Sequence, residues 1–502
     1  MRRIIIVCGQ RIHMRAIARP REWGRTAPRR QAGRAVGATG AMRRRGLVAA
    51  ALVAAAALAG TVPGSPAFGR ESDVRSVPSL LAPHGPGSVE AETTLAECRR
   101  LIIDRHPEQA ESLCRLAVEQ FRKAGMKHGE AIALNSVADT LLSKGDLDTA
   151  RKLLLDALGL CIRFGDLRCQ GHTLFSLAAV DQSAGDVDAA YKNYSIARRT
   201  YKQAEDRTNE AHALLEIGSI QLEDGFPEEA KALMQEALTL FTEEDNGRGI
   251  GNAHRTLGEV GWMQGDFDRA RRHYEKALAI YRDVDHRYGE ALALEMLGDL
   301  ETTAERPDAA YKHYLDSLGA YRRIVNHKGE ARILTSLGEL EHDRERLQEA
   351  RKHLREAIQI SERLELAYAR AEAYAGLASV ETSSNNYMEA IENHVLARYF
   401  HRKEGNASGE ARALLGLGEI AYRLRWIDDA RIFYLEALAL YRRTGVRPFE
   451  GIALMALGDL ERLGDEAKAR QYYREATQIF SEHDLPDLQR QAEESLRELP
   501  QE

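Results

Sequence analysis

Small residues recur every forty positions along most of the chain: Ala138, Ala178, Gly218, Gly258, Gly298, Gly338, Ala378, Gly418 and Gly458. An all-alanine column follows twelve residues later, at Ala150, Ala190, Ala230, Ala270, Ala310, Ala350, Ala390 and Ala430. A third lies seven further on, at Ala157, Ala197, Ala237, Ala277, Ser317, Ala357, Ala397 and Ala437. Between these columns the apolar residues keep helical spacing. In 289–328 the first half carries Ala291, Leu294, Leu297, Gly298 and Leu300, and the second Ala309, Ala310, Tyr314, Ser317, Leu318 and Tyr321. Short turns separate the halves, often Gly-Asp as in Gly145-Asp146, Gly185-Asp186, Gly265-Asp266 and Gly464-Asp465. The glycine suits a left-handed helix end and the aspartate suits the cap of the next helix. Pro227 and Pro307 fall where a second helix starts, a position that tolerates proline. Each unit is therefore predicted to be an antiparallel hairpin of helices of about fourteen and seventeen residues, stacked on its neighbours without a central core.

The lattice extends over 89–487 as about ten hairpins, near 89–128, 129–168, 169–208, 209–248, 249–288, 289–328, 329–368, 369–408, 409–448 and 449–487. The last is one residue short, with Ala469 and Ala476 each arriving one place early. A charged helix begun near Pro486 is expected to cover the final apolar face, with 488–502 as its remainder and tail. The predicted fold class is all-α.

The leader is different. Residues 1–67 hold thirteen arginines and one acid, Glu22, about +12; the whole chain carries −6, so the remainder carries about −18. Residues 42–67 read as a signal peptide: three arginines, an apolar run over 46–60, and Ser65-Pro66-Ala67 as the cleavage pattern. The run is short for a membrane span, so membrane attachment is expected only if this segment stays uncleaved. Residues 1–41 show no helical period and read as a disordered or mis-annotated extension, and 68–88 as a flexible linker. A periplasmic or extracellular location follows if the segment functions, and a cytoplasmic one if it does not. The acidic body argues against nucleic acid as partner and suits a basic one. Export also bears on the cysteines. Cys98 and Cys114 should face each other inside the first hairpin, and Cys161 and Cys169 bracket a turn. Disulfides 98–114 and 161–169, or buried free thiols, both fit.

Leu257-Gly258, Ala270, Tyr274 and Ala277, and again Leu297-Gly298, Ala310, Tyr314 and Ser317, fall on the signature positions of the tetratricopeptide repeat. The chain resembles that family in a forty-residue variant, similar to the arrays of Pins-type adaptors and of the maltose-regulator sensor domain; the family's Trp and late Pro are absent. The resemblance implies a right-handed α-solenoid in which the first helix of each hairpin lines a concave face, at −6, −3, +1, +4 and +5 from the small-residue column. One ring at +1 is mostly acidic: Asp139, Glu259, Asp299, Glu339, Glu419 and Asp459. These read either as a ladder for basic side chains of an extended peptide or as internal partners of Arg255, Arg332 and Arg412. Trp262 and Tyr422 at +4 are candidate anchors, and Phe175, Leu215, Leu415 and Met455 at −3 would make apolar pockets if exposed.

His273, His313 and His353 form a further column, but helix spacing of about 8–10 Å is too wide for one metal ion to bridge. No catalytic constellation, cofactor motif or metal motif is found, and the array is expected to be the whole mature protein. The expected function is an exported protein-interaction scaffold or peptide receptor, not an enzyme. An oligosaccharide-like ligand sensor controlling self-association, and an accessory subunit of an enzyme or secretion complex, are the alternatives.

Overall fold

The computed structural model describes residues 4–7, 10–13, 86–103, 107–462, 464–483 and 485–500. The signal-peptide reading of 42–67 and nearly all of the expected linker lie outside them. Within the Arg-rich extension, Ile4–Val7 (β1) and Gln10–His13 (β2) pair as an antiparallel hairpin, Ile4 opposite His13. Everything else described is helix and turn, and the chain divides into two compact units, 61–320 and 321–502 taken with 1–60.

The unit of 61–320 contains α1 (Pro86–Ile103), α2 (Pro107–Lys123), α3 (Lys127–Lys144), α4 (Leu147–Phe164), α5 (Leu167–Ser183), α6 (Val187–Gln203), α7 (Arg207–Glu223), α8 (Pro227–Glu243), α9 (Gly247–Met263), α10 (Phe267–Asp283), α11 (Arg287–Thr303) and α12 (Pro307–Arg323), within which the division falls. The other continues with α13 (His327–Asp343), α14 (Leu347–Arg363), α15 (Ala367–Ser383), α16 (Tyr387–Lys403), α17 (Ala407–Arg423), α18 (Ile427–Thr444), α19 (Arg447–Glu461), α20 (Glu466–Glu482) and α21 (Pro486–Arg497). Odd-numbered helices pair with the even-numbered helix that follows, and the first helices of neighbouring hairpins also touch, as α7 does α9 and α13 does α15. The fold is an all-α solenoid of helical hairpins.

First helices are mostly seventeen residues long, not fourteen, as in α7 and α11. The turns take only three residues, so helix fills the rest of each repeat. In the Gly-Asp turns Gly145 is left-handed (φ 82°), and Asp146, Asp186 and Asp266 each accept a hydrogen bond from the backbone N–H three residues on. Asp465 caps α20 in the same way, accepting from the Lys468 backbone N–H at 3.1 Å.

The alanine column explains how closely the rods approach. Ala150, Ala190, Ala230, Ala270 and Ala310 are wholly buried in one unit, and Ala350, Ala390, Ala430 and Ala469 in the other. Large rings share the same cores: Tyr194, Tyr201, Tyr274 and Tyr281 in the first unit, Tyr441, Tyr473 and Phe480 in the second. The terminal helix α21 buries Leu488 and Ala492 in the core cluster of α17–α20 and turns a charged side outward.

Candidate binding surface on the first helices

A first helix is enclosed by its own second helix and by both neighbouring hairpins, so a single stripe stays open. In α17 that stripe is Arg412, Leu415, Gly416, Glu419, Tyr422 and Arg423; in α9 it is Asn252, Arg255, Glu259, Trp262 and Met263. On α7 it is His212, Glu216, Ser219 and Glu223, and on α11 Leu292, Met296, Asp299, Thr302 and Thr303. At about 100° per residue the sequence of steps −6, −2, +1, +5 keeps to one face. The −3 position is mixed: Arg255, Leu415 and Met455 reach the open stripe, whereas Phe175 and Leu215 do not. Phe175 is the correction: it is buried, its ring edge-to-face with Tyr194 at 5.0 Å, and Leu215 is buried likewise. Neither forms an open pocket.

The acidic ring is tied into the fold. In the 61–320 unit Asp139 accepts from the Ser176 hydroxyl at 3.2 Å, Asp299 accepts from the Tyr314 hydroxyl at 2.7 Å, and Glu259 is ion-paired with Arg255 one turn back. Asn252 beside them accepts from Tyr281 at 2.6 Å. Burial opposes the charge on Arg255, yet Glu259 and the neighbouring Glu216 hold its proton affinity above the ordinary value. Trp262 is half-buried, packed against the cluster around Tyr274 and Leu278, with one side left on the stripe.

In the other unit Asp459 accepts from Tyr473 at 2.7 Å and Glu419 from Arg423 at 3.0 Å. Arg332 donates to the Tyr321 hydroxyl at 3.0 Å and lies over its ring. Arg412 pairs with Glu372 across two hairpins, and Glu372 with the nearby Glu339 raises its proton affinity. Tyr422 is half-buried beside Leu415, Ile452 and Met455, which share the open stripes of α17 and α19.

Two carboxylates overlooked in the sequence stand apart. Glu216 and Glu223, one face of α7, have no hydrogen bond or ion pair among the described residues. Burial raises Glu216 to about 7; Arg255 works against that rise, and Glu259 and Glu223 add to it. Glu223 is raised as well, first by burial, then by Asp224 and Glu259. The signal that could have identified Glu216 is its −2 place, close in angle to the lining positions −6 and +1.

A second missed feature joins hairpins behind the stripe. Arg151–Asp181, Arg271–Glu301, Arg351–Glu381 and Arg431–Glu461 repeat one ion pair thirty residues apart, from a second helix to the following first helix. The carboxylate is buried each time.

Of the cysteines, Cys98 is bonded to Cys114 between α1 and α2, and Cys161 to Cys169 across the turn from α4 to α5, with Cα–Cα distances of 5.2 and 5.5 Å. His273 lies on His254, Nδ1 to Nδ1 at 3.1 Å, while the Nδ1 atoms of His313 and His353 are buried without partners. Among the described residues no three His, Cys, Asp or Glu side chains are grouped to hold a metal ion, and no helix is long and apolar enough to cross a membrane.

The MalT-like TPR region family matches residues 218–405, and the tetratricopeptide repeat family matches 409–482. No curated protein matches the chain in sequence. Among solved structures, a signal transduction ATPase with numerous domains and a tetratricopeptide repeat sensor, from Pyrococcus horikoshii, superposes with a TM-score of 0.50 at 15% identity, over 68% of this chain and 55% of that one. The present chain thus spans about half the length of that ATPase. The apo quorum sensor NprR from B. thuringiensis gives 0.49 at 17% identity, over 70% of this chain and 99% of that one. At such identities only the fold is shared. With its hairpins, its small-residue lattice and both family matches pointing one way, the chain belongs to the tetratricopeptide repeat proteins, and its central repeats resemble the MalT-like arrays.

Proposed function

We propose that this chain is an exported protein-interaction array that takes an extended segment of a partner along its first helices, and that the α7–α9–α11 face selects basic side chains. The observation carrying this reading is the pair Glu216 and Glu223. Most other charges on the face are neutralised within the fold, whereas these two half-desolvated carboxylates have no partner and an elevated proton affinity. A guanidinium or ammonium group would relieve both conditions. Trp262, one turn from Glu259 on the adjacent helix, offers an aromatic surface for the same cation. Export rests on the segment 42–67, and N-terminal sequencing of the secreted chain, beginning near Phe68, is its test.

Fluorescence anisotropy with a labelled decapeptide of alternating Arg and Gly tests the binding reading. Binding should weaken at least about tenfold in the Glu216→Gln/Glu223→Gln variant and on raising salt. Equal binding of a Glu-Gly decapeptide, or unchanged affinity in the variant, rejects the basic partner. The match to the MalT-like region supports a second reading, a sensor of an oligosaccharide-like ligand that controls self-association. Heat on calorimetric titration with maltooligosaccharides, without response to the Arg peptide, would favour it.

A further inference from the structure

The seam between α16 and α17 differs from the others among the described residues. At the fifth residue of the alanine-column turn the other second helices carry Cys, Leu, Met or Tyr, as Leu154, Tyr194, Met234 and Tyr434, and seven residues later Phe, Tyr, Cys or Ser, as Phe241, Tyr281, Cys161 and Ser361. In α16 both places are histidine, His394 and His401. They are 6% and 0% exposed. Each ring lies directly on a glycine of the next hairpin: a β-carbon on Gly416 would stand 2.2 Å from Cε1 of His394, and one on Gly409 would stand 2.3 Å from Nδ1 of His401. The imidazoles thus fill the joint between two hairpins, where water has no room.

The Nδ1 of His401 meets the Asn406 side-chain amide at 3.4 Å, but one nitrogen of each ring is left over. The Nδ1 of His394 and the Nε2 of His401 are buried without a hydrogen bond. The titratable and charged groups facing them are Glu372 and Tyr368 from α15 and Arg412 and Glu410 from α17. Glu372 comes to 3.7 Å of His401 Nε2, but it is already paired with Arg412. Arg412 is the charge His394 faces, and it repels a proton there.

We propose that the α16–α17 seam is an acid-released joint: protonation of His394 and His401 separates the hairpin α15–α16 from α17–α18 while the seam of Tyr441 with Phe449 stays closed. Burial, with Arg412 behind it, holds His394 at about 4, and burial opposed by Glu372 holds His401 at about 4, against an ordinary 6.5. The open joint therefore binds more protons than the closed one at any pH between about 4 and 6.5. The closed state is fully favoured above 6.5 and loses ground as pH falls through that window. At pH 5 each imidazole shifts the balance toward opening by roughly thirtyfold. Because Glu372–Arg412 crosses the same seam on the open stripe, opening would also break the binding face there. The inference does not depend on what the array binds.

Hydrogen exchange of the full chain, corrected for intrinsic rates, tests it. Amides of α16 and α17 should exchange at least about tenfold faster at pH 5 than at pH 7.5, while those at the seam of Tyr441 with Phe449 stay within about twofold. His394→Leu/His401→Phe, residues that sister repeats carry in these columns, should abolish the acceleration. Uniform acceleration across the unit, or none at α16–α17, overturns the proposal whether or not the variant folds. Persistence of the local acceleration in a folded variant also overturns it.

Discussion

Tyr274 presses its ring against Gly258 so closely that a β-carbon on the glycine would stand 2.4 Å from Cε1. The same relation joins Gly298 to Tyr314, Gly418 to Tyr434 and Gly458 to Tyr473. Here the forty-residue lattice becomes packing: the small residue is the socket, the ring four residues past the alanine column is the plug. Gly258→Ala should therefore destabilise its unit by about 1–3 kcal/mol through overpacking. Gly159→Ala, in α4 with open space at its Cβ, should stabilise by about 0.5–1 kcal/mol. Urea denaturation followed by circular dichroism distinguishes the two, and equal effects would refute the socket.

Between hairpins, Arg351 forks onto the fully buried Glu381 with bonds of 2.6 and 2.9 Å. Arg351→Met leaves that carboxylate uncompensated and should cost about 3–5 kcal/mol. Burial would raise Glu381, but its bonds to Arg351 and Asn386 win and lower it below the ordinary value. The pair's contribution is thus present above the usual glutamate pKa and lost as pH falls below it. A Glu381→Gln variant should show a shallower stability loss on acidification from pH 5 to 3.

Binding of a basic peptide should depend on pH through Glu216. Held at about 7, this group is largely neutral at pH 6 and charged at pH 8, so affinity rises across that interval. Anisotropy titrations at pH 6, 7 and 8 measure the rise, and the Glu216→Gln variant should flatten it. A wild-type affinity that does not change with pH would mean Glu216 does not meet the cation.

One disulfide closes the hairpin α1–α2 and the other joins the hairpin α3–α4 to α5–α6, closing stretches of sixteen and eight residues. Each should contribute about 2–3 kcal/mol. Reduction is expected to accelerate amide exchange in α1–α5 and leave the hairpin of Gly258 and Tyr274 unchanged, because repeat contacts are nearest-neighbour. Acceleration spread evenly over the chain would contradict that local coupling.

Sequence alone determined the hairpins, because a period of forty with Ala150, Ala190 and their successors in fixed columns allows one way to bury small faces repeatedly. It also placed Asp146 and Asp266 as caps, since capping is decided within four residues. The length of the first helices, the burial of Phe175 and the tethering of Asp299 and Asp459 to tyrosines were decided only in three dimensions. Each depends on which neighbour a side chain meets across a seam, and periodicity is silent on that. The unpaired state of Glu216 and the crowding of His394 against Gly416 are of the same kind: charge balance and contact are properties of the surroundings, not of the position in the repeat.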